Sequence, residues 1–435
     1  MSEIQNVEVY VPEWAKGRYL DESLFCQEFL RMVPLVFADG EFFGEDGRVP
    51  EDRVRQLVYE FLELYVSTGL SQKTNSLVEV LKMKTRKEEL LPSESLVECA
   101  NGRVNVFTGE FTEAKRCCRH RLPVNYNPNA PEPKRWKSFL QDLLEEEDIL
   151  TLQEYLGYCL LPVNYAQKMM IIVGKGGEGK SRIGIILHYL LGESMCNGSL
   201  AKVEHSPFAR ADLQHKLIMV DDDLRMEALN ATHYLKTLVT AEQEMDLERK
   251  GVQSYQASIR CRFLAFGNGN LRALHDRSLG FFRRQIILTT KERPKDRVDD
   301  ALLAQRLREE LEGILLWCLE GLQRLLANEL KFTLSTRTRR NILEAISEGD
   351  NVTDFMKSRG YFRFDPQGQI TSRRLYMLYR DWCEDNILNP LSARNFSTHL
   401  MQNQNRYNIR YSYHIDGGEG RHVRGFEGIT ARKSL

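Results

Sequence analysis

The sequence predicts an α/β protein built on a parallel sheet, with a mostly helical region before it and a small helix-and-ribbon module after it. Two stretches carry the prediction for the sheet. Met169 to Val173 is a short apolar run, as expected of a strand buried on both faces, and Arg182 to Leu191 reads as the helix that follows. Between them, Gly174-Lys175-Gly176-Gly177-Glu178-Gly179-Lys180-Ser181 has the spacing G-x-x-x-x-G-K-[ST]. Further along, Leu217 to Val220 is a second apolar run, and it ends in Asp221, Asp222 and Asp223.

Each part of these stretches has a chemical use. Glycines let successive backbone N–H groups curl around phosphate oxygens, and the helix that follows turns its N-terminal dipole toward the same point. Lys180 can reach outer phosphates, and the Ser181 hydroxyl can ligate Mg²⁺. The strand before and the helix after set this apart from a chance glycine-rich turn, so residues 174–181 read as a nucleoside triphosphate site. The second run presents acids at the C-terminal end of a buried strand, where ligands sit in parallel α/β sheets. A carboxylate there can hold Mg²⁺, and an adjacent one can orient an attacking water. Asp221 and Asp222 are the candidates, with Asp223 the bystander.

Whole-chain totals bound the rest. A chain of 435 residues exceeds one ordinary domain. The net charge of −1 hides segregated basic and acidic stretches, so partners are judged segment by segment. Nine scattered cysteines, an odd number, do not suggest a disulfide framework and fit a reducing compartment. No basic start followed by an apolar core opens the sequence, and no apolar run approaches the length of a membrane span.

In chain order, residues 1–95 are expected to be mostly helical. Val54, Leu57, Val58, Phe61, Leu62 and Tyr65 recur at helical spacing, as do Leu77, Val80 and Leu81, while Gly40, Gly44, Gly47 and Pro50 mark a loop. Residues 96–162 begin with short strands around a hairpin turn, within Ser95 to Val106 and Phe107 to Phe111. The basic cluster Lys115 to Arg121 follows. Its Cys117, Cys118 and His120 lack a second Cys/His pair at zinc-ligand spacing, and the cluster reads as a solvated strand edge, with a nucleic-acid-facing patch as the alternative. Trp136, Phe139, Leu140, Leu143 and Leu144 define an amphipathic helix, and Leu150 to Leu161 another.

After the acids, Leu229, Tyr234, Leu235 and Leu238 mark a helix. Glu248-Arg249-Lys250-Gly251 suits either a hairpin tip reaching for phosphates or a solvated turn. Ser258 to Phe266 reads as a strand, and Asn268 just beyond it is placed either to meet a γ-phosphate or water or to make a turn. Arg283 and Arg284 stand directly before an apolar strand; in a ring of subunits a guanidinium there can neutralise transition-state charge at a neighbour's nucleotide. Ala301 to Leu326 reads as one long helical stretch, and Thr333 to Arg340 opens another helix. Tyr376, Tyr379 and Trp382 form a helical stripe that belongs to a core, Leu391 to Met401 is a second helix, and Asn405 to Ile429 reads as two strands around Asp416-Gly417-Gly418. Helix, helix and β-ribbon is the winged variant of a helix-turn-helix module. From Asn403 to the end, six Lys/Arg against three acids leave a local +3, which favours contact with nucleic acid or another acidic surface.

With these residues in hand the chain resembles a superfamily 3 helicase of the AAA+ class, specifically the helicase portion of the phage/plasmid primase family related to the poxvirus primase-helicase. The resemblance covers roughly residues 95 to 429. Asn101-Gly102-Arg103-Val104, Leu122 to Tyr126 and Leu152 to Tyr158 resemble the segment ahead of that family's ATPase. Leu311 to Gly321 is close to a signature that follows it, and Gly425 to Ile429 resembles the end of its winged-helix domain.

The resemblance implies an AAA+ P-loop ATPase core, a hexameric ring around DNA, and hydrolysis of ATP with Mg²⁺ at subunit interfaces. It implies that Gly174, Lys175, Gly176, Gly177, Glu178, Gly179, Lys180 and Ser181 form the ATP-binding loop, with Ser181, Asp221 and Asp222 at the Mg²⁺. Asn268 matches the sensor; Arg284 matches the trans-acting arginine finger, with Arg283 the competing choice; Arg249 and Lys250 fall near the DNA-contacting hairpin. Three aspartates stand where many relatives have a lone Glu, so the water-orienting residue stays open between Asp221 and Asp222. Region 1–95 is too short for the primase domain many relatives carry and shows no primase-like acidic triad, so primer synthesis is not expected.

The expected organisation is a helical region at 1–95, a β/α collar-like segment at 96–162, an ATPase at 163–328, a linker helix at 329–350 and a winged-helix DNA-binding domain at 351–435. The expected function is an ATP-dependent, ring-forming replicative DNA helicase of a phage, plasmid or mobile element, working in the cytoplasm of a bacterial host. Its partners would be single-stranded and forked DNA, copies of itself, and a separate primase or other replication protein, with no membrane. The alternative is an ATP-controlled origin-binding or assembly factor that does not unwind processively.

Overall fold

A computed structural model describes residues 11–16, 19–88, 90, 93–224, 232–268, 283–293, 300–349, 351–358, 360–386, 390–416 and 422–432. The chain divides into two compact units, one of Met1–Asn270 with Arg284–Arg339, the other of Leu271–Arg283 with Arg340–Leu435. Among the described residues no helix is long and apolar enough to cross a membrane.

The first unit opens with helices Glu22–Met32, Glu51–Glu63 and Leu70–Lys84, which bury Phe25, Phe29, Val54, Leu62 and Leu77 around Trp14. The glycine-marked loop of the sequence reading is instead a small antiparallel sheet of β1 (Val36–Ala38), β2 (Glu41–Gly44) and β3 (Gly47–Val49). Gly40, at φ +77°, sits in its first turn, Gly47, at φ +103°, follows the second, and strands of three or four residues are too short to leave a period.

Strands β4 (Leu96–Cys99), β5 (Gly102–Asn105) and β6 (Phe111–Thr112) form a meander, followed by helices Lys134–Leu143 and Glu146–Tyr158. The second of these helices is buried on nearly all sides and lies against helix Leu311–Ala327. Glycines set how close they come. A Cβ on Gly157 would stand 2.2 Å from the Cys318 carbonyl oxygen, and one on Gly321 would stand 2.4 Å from that of Gln153. The long helical stretch expected at 301–326 is two helices, Leu303–Arg308 and Leu311–Ala327, broken at Glu309 and Glu310 although the apolar stripe runs on.

The centre is a five-stranded sheet. Its strands are β7 (Met169–Gly174), β8 (Met195–Asn197), β9 (Ile218–Leu224), then, beyond the separate antiparallel hairpin of β10 (Met245–Arg249) and β11 (Val252–Ala257), β12 (Arg262–Asn268) and β13 (Gln285–Thr289). Their order is β13-β7-β12-β9-β8, and every neighbouring pair is parallel. Met170 to Ile172 and Phe263 to Phe266 are at most 1% exposed, which is why those strands read as unbroken apolar runs. Ser258 to Cys261 lie outside any strand, so the run expected from 258 starts at Arg262. Helix Ser181–Leu191 packs on this sheet, and helix His233–Thr240 precedes the hairpin; Leu229 lies outside the described residues.

The second unit holds helices Asn351–Lys357, Ser372–Asp385, Ala393–Gln402 and Gln404–Tyr407 with strands β14 (Phe362–Thr371), β15 (Arg410–Asp416) and β16 (His422–Ala431). The antiparallel sheet has β16 in the middle, and Gly417 and Gly418 lie outside the described residues. Its core is aromatic: Tyr379 stacks on Phe396 at 4.4 Å between centroids, beside Phe355 and Trp382. Strand β14 was missed because Pro366 and Gly368 interrupt it and its pairing shifts between Phe364 and Gln369.

Gly157→Ala is therefore expected to lower the free energy of unfolding by about 1–3 kcal/mol through forced separation of the two helices, read from denaturant midpoints.

Candidate functional site

Strand β7 ends at Gly174 and a helix starts at Ser181, so the six residues between are a tight loop at the C-terminal edge of the sheet. Gly176, Gly177 and Gly179 have φ of +105°, +83° and +100°, conformations that turn backbone N–H groups inward. Those groups already hold an anion. Glu178 accepts the N–H of Lys175 at 2.6 Å and that of Gly176 at 2.8 Å, both at Oε1. Lys180 Nζ donates to Glu178 Oε2 at 2.8 Å and to Asn268 Oδ1 at 3.1 Å.

Strand pairing brings Asn268 there. Strand β12 lies beside β7 with Asn268 opposite Gly174, so its amide borders the loop. The acids at the end of β9 are separated by strand alternation. Asp222 lines the same cavity as Lys180, Ser181, Asn268, Arg293 and Asp300, a space of about 620 Å³. That volume lies in the range of small-molecule sites. Asp221 is buried and turned away: it accepts the N–H of Leu200 at 2.8 Å and that of Asp223 at 3.3 Å. Burial pushes its carboxyl above the usual range, against the pull of those two N–H groups.

Arg284 is not brought to this cavity. Strand β13 runs parallel to β7 with Gln285 opposite Met169, and the Arg284 carbonyl accepts the Met169 N–H at 2.8 Å. Its backbone thus stands at the N-terminal edge of the sheet, about 15 Å along β7 from the loop at a rise near 3.3 Å per residue. Arg283, exposed, is grouped with the other unit. Sequence reasoning overlooked Arg293, which follows the opposite end of β13 and donates from Nη1 to the Gly177 carbonyl at 3.3 Å. The signal was available: a strand parallel to β7 must end at the loop's edge.

The hairpin of β10 and β11 turns at Lys250 and Gly251, the glycine at φ +78°. Lys250 is exposed. Arg249 donates to Gln214 Oε1 at 2.9 Å, an oxygen that also accepts the Tyr255 hydroxyl at 2.7 Å, so Arg249 ties down the hairpin's root.

The basic cluster at 115–121 is a solvated edge only at Lys115 and Arg116, which are exposed; the rest turns inward. Arg121 is 8% exposed and donates to the carbonyls of Cys99, Gly102 and Arg116. Lys115 pairs with Asp46, Arg116 with Glu98 and Arg119 with Asp39. Cys117 Sγ donates to the Pro34 carbonyl at 3.4 Å. His120 Nδ1 lies 3.1 Å from Ser194 Oγ. Burial, then the charge of Arg119, pushes His120 down to about 3 and His215 down to about 4.

Comparison with known proteins adds two family matches and a fold. Residues 40–145 match a family described as D5 N terminal like, and residues 172–284 match a family of unknown function, DUF5906. No curated protein matches the sequence. Among solved structures, the A-form apo structure of the NrS-1 C-terminal region, residues 305–718, is 14% identical, covers 90% of this chain and 88% of that one, and has a TM-score of 0.51. Two other apo structures of that region, 13% and 14% identical, reach TM-scores of 0.48 with 88% and 93% of this chain covered and 86% and 98% of theirs. The chain shares its fold with the first of these. The second family match contains the loop, the three aspartates, the hairpin, Asn268 and Arg284, whereas Arg293 lies beyond it.

Asp221 and Asp222 should separate in a stability measurement. Asp221→Ala is expected to cost about 1–3 kcal/mol by leaving the Leu200 N–H unpaired, and exposed Asp222→Ala to stay within about 0.5 kcal/mol, in thermal or denaturant unfolding.

The two histidines give a pH dependence with a definite sign. Unfolded, each takes up a proton near its ordinary value of 6.5; folded, each refuses it until about 3 or 4. Stability is therefore full above pH 6.5 and falls as pH drops from there toward 4, and His120→Gln should flatten that fall in unfolding curves taken across the window.

Proposed function

We propose that this chain is an ATP-driven, ring-forming replicative DNA helicase. The observation that carries the reading is the loop itself. Inward N–H groups and the Lys180 ammonium converge on a buried carboxylate, beside Asn268 and above a cavity lined by Ser181 and Asp222. Donors arranged for one anion suit the phosphates of ATP, so the residues present fit the group. Support also comes from the two family matches and the NrS-1 fold, which are in keeping with a replication-related, phage primase-helicase-like protein.

In this reading Lys180 and the amides of residues 175–180 bind the outer phosphates. The Ser181 hydroxyl and the Asp222 carboxylate would hold Mg²⁺, which would supply screening of phosphate charge. Asn268 would position the attacking water, and Asp222, facing the cavity, is better placed than Asp221 to help orient it. Asp221 acts as a support through Leu200. Arg284, too far from its own loop, serves the loop of the next subunit, which makes hydrolysis conditional on assembly into a ring, taken here as a hexamer. Lys250 at the exposed hairpin tip contacts single-stranded DNA, and the second unit contacts forked DNA as a winged-helix module. Copies of the chain and a separate primase or replication protein complete the partners.

Purified full-length protein should hydrolyse ATP faster with single-stranded DNA and release a strand from a forked duplex. Lys180→Ala should abolish both. Arg284→Ala should cut turnover by about a thousandfold or more while nucleotide binding and ring assembly persist. Turnover retained in Arg284→Ala would exclude the shared site, and ATP-dependent DNA binding without strand release would favour the assembly-factor alternative.

A further inference from the structure

The residue that stands out in the loop is Glu178, at one of the positions that the G-x-x-x-x-G-K-[ST] spacing leaves open. Its side chain does not point to solvent; it is 3% exposed. One carboxylate oxygen takes the amides of Lys175 and Gly176, at 2.6 and 2.8 Å. The other takes Lys180 Nζ at 2.8 Å and lies 3.1 Å from the Gly176 amide. In this motif these same backbone and ammonium donors hold phosphate oxygens. A carboxylate and a phosphate are alike in what they ask of such a cradle: negative charge on trigonally or tetrahedrally spread oxygens, accepting charge-assisted hydrogen bonds.

The cradle has no slack. A Cβ at Gly174 would fall 2.8 Å from Glu178 Oε2, 2.8 Å from Lys180 Nζ and 2.6 Å from Thr290 Oγ1. A phosphate cannot share that space with the carboxylate, and two anions on one ammonium repel. Burial disfavours the charge on Glu178, yet Lys180 and the loop amides outweigh it and hold the carboxyl below its usual range. The group therefore stays ionised in place. It is flanked by Gly177 and Gly179, residues that reach a wider range of backbone conformations than any other.

We propose that Glu178 is an internal phosphate surrogate: it occupies the cradle of the nucleotide-free loop, and nucleotide binds by displacing its carboxylate. The proposal rests on residues 174–181 being a nucleotide site. Exchange of one anion for another on the same donors means that only the surplus interaction appears as affinity. Glu178 thus keeps the empty loop ordered and weakens nucleotide binding, favouring release of product.

The test is a titration of full-length protein with a fluorescent ADP analogue and Mg²⁺, comparing wild type, Glu178→Gln, Glu178→Ala and Lys180→Ala. Removing the competitor should tighten binding by about tenfold or more in Glu178→Ala, with isosteric Glu178→Gln intermediate because it keeps the shape and loses the charge. Without nucleotide, Glu178→Ala should melt lower than wild type, and its shift in Tm on adding ADP should be larger. Equal or weaker binding by both Glu178 variants, with wild type binding and Lys180→Ala not, overturns the surrogate and leaves the nucleotide site standing. Absence of binding by wild type and by every variant overturns the nucleotide reading, and the surrogate with it.

Discussion

Parallel pairing of β12 with β7, in the register that sets Asn268 opposite Gly174, is the constraint on which the site's geometry depends. A parallel sheet delivers all its strand ends to one edge, and the order of strands decides which ends become neighbours. With β12 between β7 and β9, the loop after β7 is flanked by the Asn268 amide, and the acids at the end of β9 lie one strand farther away. The cavity is therefore lined by Asn268 and Phe266 of β12 and Asp222 of β9 on one side and by the loop on the other. Moving Asn268 by one residue would turn its amide to the opposite face and leave Lys180 Nζ without that acceptor.

The acids at the end of β9 divide their work because a strand has two faces. Asp222 faces the cavity, while Asp221 takes the N–H of Leu200 at the start of helix Leu200–His205. Glu204 at the other end of that helix accepts the N–H groups of Tyr234 and Leu235, at 3.1 and 2.9 Å, and so places a negative charge at the N-terminus of helix His233–Thr240. Arg210 lies 3.8 Å from the Tyr234 ring centroid and donates to the carbonyls of Val203 and Glu204. The β10–β11 hairpin follows directly, rooted by Arg249 on Gln214. Hydrogen bonds thus tie the strand carrying the acids to helix Leu200–His205 and that helix to helix His233–Thr240, while the hairpin carrying Lys250 is held at its root by the exposed Arg249–Gln214 bond. The links nearest the acids, through Asp221 and Glu204, are made by buried side chains.

How much of this was legible in the sequence depended on distance along the chain. The loop, its strand and its helix were readable because every signal lies within Met169 to Leu191: an unbroken apolar run, glycines at fixed offsets, then helical spacing. The choice between Asp221 and Asp222 was not, since alternation separates the two without saying which face the loop occupies. The cluster at 115–121 misled because its acids, Asp39, Asp46 and Glu98, come from other strands and turns, so four cations that look like a basic surface are each paired with an acid distant in sequence, Arg116 and Arg121 sharing Glu98. Strands β1 to β3 and β14 escaped for a local reason, shortness in one case and an interrupted ladder in the other.

Strand β13 carries an arginine beyond each end, and the two cannot serve the same phosphate. Five residues of strand, Gln285–Thr289, span about 16 Å, so Arg284 and Arg293 stand at opposite edges of one sheet. Arg293 is the local one, donating to the Gly177 carbonyl beside the cradle that Glu178 fills. The chain therefore surrounds its own loop with Lys180 and Arg293 and carries the Arg284 backbone at the far edge of the sheet. In the proposed ring, rotation from one subunit to the next would present that far edge to the adjoining cavity, and Arg284 would be the cation offered to the neighbour's loop. If nucleotide displaces Glu178 as proposed, assembly and nucleotide entry would then act on the same small space from its two sides, one supplying positive charge and the other removing a negative one.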